Sequence, residues 1–124
     1  MQYVPLIARV FLSLIFLNAA YNHLTGFAGF AEMIGGRLPL GGLLAAFTVL
    51  FQLLGSLSLI LGYKVKIGAA LLIIFLIPAT LIFHNFIGDP SQINPFLKNV
   101  GLIGGLLMVI YTGAGAVSLD RQFT

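Results

Sequence analysis

Residues 67–88 read IGAALLIIFLIPATLIFHNFIG, an unbroken stretch without a lysine, arginine, aspartate or glutamate. A helix rises about 1.5 Å per residue and the hydrocarbon core of a bilayer is about 30 Å thick, so roughly 20 apolar residues span it. Similar uncharged stretches occupy residues 10–31, 38–63 and 99–119. The pattern predicts an all-α membrane protein built as a bundle of four transmembrane helices.

The composition supports this prediction. Hydrophobic residues make up 60% of the 124 residues and charged residues only 7%, with a mean hydropathy of +1.10. A soluble domain carries about 25% charged residues, so membrane lipids are the expected surroundings. The six basic residues form no run, which argues against nucleic acid as a partner.

The absence of cysteine narrows the chemistry of the chain itself. It excludes disulfides, thiolate catalysis and cysteine metal sites within these 124 residues. A redox role therefore needs a bound cofactor or a partner subunit.

The loops between the spans are short, so residues 1–124 are predicted to form a single membrane domain. The spans are expected at about 4–24, 40–62, 67–87 and 97–117.

The first loop carries its own periodic pattern. Phe27, Phe30, Met33 and Ile34 recur at helical spacing, which predicts a short helix lying on the membrane surface. The third loop, residues 88–96, contains two prolines beside aspartate and asparagine and is predicted to be a turn.

The basic residues predict the orientation. One side of the membrane receives Arg9, Lys64, Lys66 and Arg121, and the other receives Arg37 and Lys98 with Glu32 and Asp89. The positive-inside rule then places both termini in the cytoplasm.

Two polar side chains inside the spans are expensive in lipid and are expected to face the bundle interior. Arg9 cannot lose its proton, so it must find hydrogen-bond acceptors or water. Gln52 is a candidate partner, and extension of Arg9 to the near headgroups is the alternative.

The other small and polar residues have structural interpretations. The hydroxyls of Thr48, Ser56 and Thr80 are expected to bond their own backbone four residues back. Gly101 and Gly105 are expected to form a helix-packing face.

Five polar residues are predicted to meet near the outer membrane surface, and we name them the outer cluster: His23, His84, Asn85, Lys98 and Asn99. Aromatic residues are expected to line the same place, namely Phe27, Phe83, Phe86 and Phe96. Imidazole, amide and ammonium donors in an aromatic pocket suit the two carbonyls of a quinone. A hydrogen-bonded cap that only closes the bundle is the alternative.

A metal site is not predicted. Two histidines are too few for a protein metal site, and Glu32 and Asp89 are the only carboxylates nearby.

Several short motifs carry a family resemblance over nearly the whole chain. They are Arg9 ahead of an apolar helix ending in Asn22 and His23, GFAGF at 26–30, QLLG at 52–55, FHNF at 83–86, FLKN at 96–99 and GAGAVSLD at 113–120. On these motifs the chain resembles the DoxX family of small membrane proteins. It departs from the family at Gln52, where glutamate is frequent, at His23, where lysine is frequent, and at Ile87, where an aromatic residue is common.

The resemblance implies a four-helix bundle in the cell (inner) membrane of a bacterium or archaeon. It also implies a link to thiosulfate:quinone oxidoreductase or to thiol and oxidative-stress systems, which some family members have. Most members have no established reaction, and fold alone does not assign one.

Two functions fit these observations. The first is a membrane subunit that works with a redox partner and binds quinone at the outer cluster. The second is a non-catalytic scaffold, assembly factor or small-solute permeability protein. The sequence assigns neither a reaction nor a partner, and it is compatible with a homo-oligomer.

Overall fold

The computed structural model describes residues 2–84 and 87–122, and its regular elements there are all helical. The helices are α1 (Val4–Thr25), α2 (Phe27–Gly35), α3 (Gly41–Leu61), α4 (Val65–Phe83), α5 (Ile93–Thr112) and α6 (Leu119–Gln122), with a 3₁₀ turn at Pro90–Gln92.

Four of these segments are long and apolar enough to cross a membrane: Val4–Thr25, Gly41–Leu61, Val65–Phe83 and Pro90–Thr112. Their outward faces carry large apolar side chains such as Phe11, which is 69% exposed, and Tyr111, which is 84% exposed. This arrangement suits a lipid-facing surface and confirms the predicted class, a four-helix transmembrane bundle. The short helix predicted in the first loop is also confirmed, as α2.

The helices pack in chain order, α1 on α3, α3 on α4 and α4 on α5. The buried core between them consists of Phe16, Leu59, Val65, Ala69, Leu72, Leu76, Leu106 and Ala114. Since lipid is as apolar as these side chains, close packing rather than expulsion of water holds such a core together.

Helix α2 lies across the start of α3. The two backbones approach so closely that a Cβ atom added to Gly41 would lie 2.6 Å from the Gly35 nitrogen and 2.5 Å from the Ala31 oxygen. Only glycine fits such a crossing. Ile34 of α2 is buried, which shows that the apolar face of this helix lies toward the bundle.

The third loop lies about four residues earlier in the chain than predicted. Helix α5 begins at Ile93 rather than near residue 97, after the 3₁₀ turn that the Asp89 side chain caps by accepting from the Ser91 N–H at 3.1 Å. Pro95 is compatible with this start because the first turn of a helix needs no backbone donor. Helix α4 ends at Phe83, ahead of the predicted residue 87.

The hydroxyl predictions are confirmed at two of three positions. Thr48 and Ser56 donate to the carbonyl oxygens of Leu44 and Gln52. The prediction is wrong for Thr80, whose Oγ1 accepts from Asn99 Nδ2 at 3.0 Å and so links α4 to α5.

The predicted packing face on α5 is wrong at one of its two glycines. A Cβ atom added to Gly101 would meet nothing within 4 Å, so this position looks away from the described helices. At Gly105 the same atom would meet Leu12 of α1 at 3.6 Å, an ordinary contact.

The bundle has two distinct ends. We call one the termini end, formed by residues 2–9, the turn 62–64 and residues 113–122. The other is the histidine end, formed by His23, α2 and the described part of the chain between α4 and α5.

Candidate functional site

A cavity of about 510 Å³ opens at the histidine end, between α2, α3 and α4. Its walls are mainly aromatic and aliphatic, with a few polar side chains among them. The lining residues include Phe30, Met33, Ile34, Phe47, Phe51, Ile74, Phe75, Pro78, Ile82 and Phe83, with the polar residues His23, Arg37, Thr48, His84 and Gln92. An apolar cavity of this size with a few polar groups is typical of a small-molecule site.

His23 comes from the last turn of α1 and is held on two sides. Its Nδ1 lies 3.0 Å from Oε1 of Gln52, which is almost fully buried in α3. Its ring stacks on Phe30 of α2, with centroids 3.8 Å apart and planes 4° from parallel. The orientation of the imidazole is therefore fixed by α2 and α3 together.

His84 follows α4 directly and is the residue that ends it. Its backbone N–H donates to the Thr80 oxygen at 3.1 Å. Its Nδ1 lies 2.8 Å from Oε1 of Gln92, which belongs to the 3₁₀ turn before α5. Both histidines of the chain thus line one cavity and are paired in the same way with a glutamine.

Arg37 is the charged residue among the side chains that line the cavity. Its Nη1 donates to the Ile82 oxygen at 2.6 Å, and its guanidinium lies 5.3 Å from the centroid of the Phe83 ring. Within residues 2–84 and 87–122 no carboxylate forms an ion pair with it. Arg37 therefore joins the segment after α2 to the end of α4 and keeps hydrogen-bond donors for a ligand.

Asp89 lies next to the cavity, on the side of Arg37 and Gln92, which we call the entrance. It lines a smaller hollow of about 350 Å³ together with Arg37 and Gln92. Hydrogen bonds from the side chain and backbone of Ser91 lower the pKa of Asp89 below its ordinary value, so the carboxylate is ionised at neutral pH.

The structure brings together only part of the predicted outer cluster. His23 and His84 share the cavity, whereas Lys98 is exposed on α5 and does not line it. Asn99 is buried outside the cavity, where it donates to Thr80. Asn85 lies outside the described residues.

The two polar residues predicted inside the spans are both buried, but they do not pair with each other. Arg9 is 2% exposed and donates to the carbonyl oxygens of Leu59 at 2.7 Å and Val117 at 2.5 Å. The expected Arg9 to Gln52 contact is wrong, because Gln52 lies in the middle of α3, about two turns before Leu59, and pairs with His23. The expectation that Arg9 finds acceptors is correct.

Sequence reasoning missed several cavity residues. Of the predicted aromatic residues, Phe83 lines the cavity, Phe27 and Phe96 do not, and Phe86 lies outside the described residues. The missed residues are Phe30, Arg37, Phe47, Phe51, Phe75 and Gln92. Part of the signal was present, because the helical spacing of the first loop continues to Arg37 and its apolar face needs a surface to cover.

Metal ligands are not grouped here. Within residues 2–84 and 87–122 no three histidine, aspartate or glutamate side chains are placed to hold one metal ion. The cavity instead offers aromatic faces, two imidazoles and a guanidinium, which suit an apolar ring that carries oxygen atoms.

Comparison with known proteins identifies relatives of the chain. The sequence model of the DoxX family matches residues 4–85. The inner membrane protein YqjF of Escherichia coli K12 is 27% identical, over 94% of this chain and 88% of its own length. The inner membrane protein YphA of the same organism is 32% identical over the same shares of each chain.

Eukaryotic proteins also match, over a smaller part. The ER-derived vesicles protein ERV29 of Saccharomyces cerevisiae is 33% identical over 61% of this chain, which corresponds to 26% of its own length. No solved structure matches the chain. The residues that line the cavity all lie within the matched range 4–85, except Gln92.

Proposed function

The chain belongs to the DoxX family of integral membrane proteins, and we propose that it is the membrane subunit of a quinone-linked redox system whose quinone ring binds in the cavity at the histidine end. The observation that carries this proposal is the cavity itself, about 510 Å³ with aromatic walls, two histidines and an arginine.

The chemistry of a quinone fits these walls. Its ring is flat and apolar, and its tail is soluble in the lipid that surrounds the helices. Phe47, Phe51 and Phe75 offer ring faces for stacking, which is worth about 0.5–1.5 kcal/mol per aromatic pair beyond simple burial. Arg37 offers N–H donors to a ring oxygen at the entrance.

Electron transfer would require a second component. The chain has no cysteine, and none of its own side chains is an ordinary carrier of electrons. The proposed role is therefore to hold the quinone beside a partner subunit that exchanges electrons with it.

One observation favours a second candidate, the non-catalytic scaffold. Both imidazoles already have a glutamine partner without any ligand, as a hydrogen-bonded cap requires. In that case the histidines stabilise the fold and the cavity is filled by lipid chains.

Quinone extraction separates the two functions. Protein purified in mild detergent is extracted with organic solvent, and the quinone content per protein and the melting temperature are measured on the same preparation. We expect His84→Ala to lose the bound ligand, counted as quinone plus quinol, with little change in melting temperature, because a partly exposed imidazole leaves few groups unpaired. Lys98→Ala should keep its quinone, since Lys98 lies outside the cavity.

Wild-type protein that carries neither quinone nor quinol, and takes up neither when it is offered, would contradict the redox role. A lower melting temperature of His84→Ala with no ligand to lose would support the scaffold.

The orientation in the membrane is part of the proposal. We propose that the termini end faces the cytoplasm and the histidine end the opposite side, in line with the basic residues. The cysteine-free background allows single cysteines at Val65, Asp89 and Gln122 to be labelled on intact cells with a membrane-impermeant maleimide. We expect labelling at position 89 only, and labelling at 65 or 122 would reverse the orientation.

A further inference from the structure

The two histidines of the cavity are held in the same chemical arrangement. Nδ1 of His23 lies 3.0 Å from Oε1 of Gln52, and Nδ1 of His84 lies 2.8 Å from Oε1 of Gln92. The glutamines come from different elements, α3 and the 3₁₀ turn before α5. The same pairing therefore arises twice, at separate positions of the cavity wall.

An amide oxygen can only accept a hydrogen bond, so the Nδ1 that faces it must carry the proton. This assigns to each neutral imidazole the tautomer in which Nε2 has no proton. Nε2 is then a hydrogen-bond acceptor. The stack of His23 on Phe30, 3.8 Å between centroids, fixes the plane of that ring.

The tautomer decides whether each ring can donate a hydrogen bond to a ligand or accept one from it. A quinone has only acceptor oxygens, so it would meet the Nε2 lone pair with another lone pair. A quinol hydroxyl donates to Nε2 and can still accept from Arg37 through its oxygen. From this arrangement we infer that the cavity selects the reduced, hydroxyl-bearing quinol over the oxidised quinone.

This inference rests on the proposed function and reverses the polarity that the sequence suggested, which treated the imidazoles as donors to quinone carbonyls. In each case the imidazole N–H already donates to the glutamine and is not available to a ligand. Gln52 and Gln92 are therefore positioning residues that act through the histidines.

The tautomers can be measured without any ligand. The chain has two histidines, so ¹⁵N-histidine labelling gives a spectrum with two imidazoles only. In lipid nanodiscs at a pH where both rings are neutral, we expect the Nδ1-protonated tautomer at both positions. Gln52→Met should release His23 alone, and Gln92→Met should release His84 alone. The Nε2-protonated tautomer at both wild-type rings would overturn the inference.

The ligand preference is tested with three molecules that share one ring and one decyl chain. They are the benzoquinone, its hydroquinone under anaerobic reducing conditions, and the dimethyl ether of the hydroquinone, which has no donor. We expect the hydroquinone to bind about tenfold more tightly than either of the others, the effect of one satisfied against one unsatisfied hydrogen bond. In the double variant Gln52→Met with Gln92→Met the preference should fall toward equality.

The possible failures are distinguishable. Equal or tighter binding of the benzoquinone overturns the selectivity and leaves the proposed function standing. Binding of none of the three molecules overturns the proposed function and the selectivity with it. Retention of the full preference in the double glutamine variant overturns the positioning role of the two glutamines.

Discussion

The two ends of the bundle use polar groups in opposite ways. At the termini end, Arg9 donates to the backbone oxygens of Leu59, Ile60 and Val117. At the histidine end, Arg37 donates to one backbone oxygen and is otherwise exposed at the entrance of a cavity. Each end has an arginine, but only at the termini end is the guanidinium buried among several chain segments.

Folding back of the C-terminal segment closes the termini end. The Asp120 carboxylate accepts from the backbone N–H groups of Lys64 at 2.6 Å and Val65 at 3.2 Å, and so caps α4. The Asp120 N–H donates to the Gly62 oxygen at 2.8 Å. The polar groups of the termini end serve only to hold chain segments together, whereas those of the histidine end also line a space that a ligand can enter.

The largest contrast is expected between the two arginines. Arg9→Met should destabilise the protein by about 3 kcal/mol, because several buried backbone oxygens lose a charged donor. Arg37→Met should change stability by less than about 0.5 kcal/mol, since its contacts are exposed, but it should weaken ligand binding. Melting temperatures in one detergent measure both. Equal losses from the two substitutions would remove the distinction between the ends.

The next contrast is between two glycines. Gly62 has φ +70°, and a Cβ atom there would contact Ser118 and lie 2.6 Å from Arg9 Nη1. Gly62→Ala should therefore cost about 2 kcal/mol from strain and displaced contacts. Gly88 at the histidine end has nothing within 4 Å of the same position, so Gly88→Ala should leave the melting temperature unchanged. A stable Gly62→Ala would show that the C-terminal segment does not pack as described.

The smallest contrast is between two aspartates. Asp120→Ala removes the cap of α4 and the acceptor of the Lys64 N–H. Since the φ of 50° at Lys64 is strained for a residue with a side chain, a loss of about 1 kcal/mol is expected. Asp89→Ala removes only the cap of an exposed 3₁₀ turn and should not change the melting temperature measurably. Because the pKa of Asp89 is lowered in the fold, its own contribution is present at neutral pH and is lost only on acidification below its ordinary pKa of 3.8.

The sequence predicted the spans and α2 because both depend on local periodicity and length. It could not predict the hydrogen bond from Arg9 to Val117, since those residues are 108 positions apart. No local pattern indicates that the C-terminal segment packs against α1. Lys98 was expected at the start of the fourth span, but α5 begins at Ile93, so Lys98 lies in the second turn of this helix, exposed and outside the cavity.

Of the candidate site, the sequence predicted that its two histidines lie together. Both end helices on the same side of the bundle, and span parity alone brings such ends together. Their glutamine partners were not predictable, because Gln52 was assigned to Arg9 and Gln92 was assigned to a turn. The tautomer, and with it the preference for a donor ligand, depends on those two contacts.

The separation of the two ends is tested most directly by the rise in melting temperature that the decyl hydroquinone produces in three proteins under identical conditions. A ligand that binds only the folded state raises its stability by RT ln(1 + L/Kd), where L is the free ligand concentration. We predict equal rises for wild type and for Asp120→Ala, which differ only at the termini end, and no rise for the double variant His23→Ala with His84→Ala. A rise that survives in the double histidine variant, or one that disappears in Asp120→Ala, would contradict a ligand site at the histidine end that is independent of the termini end.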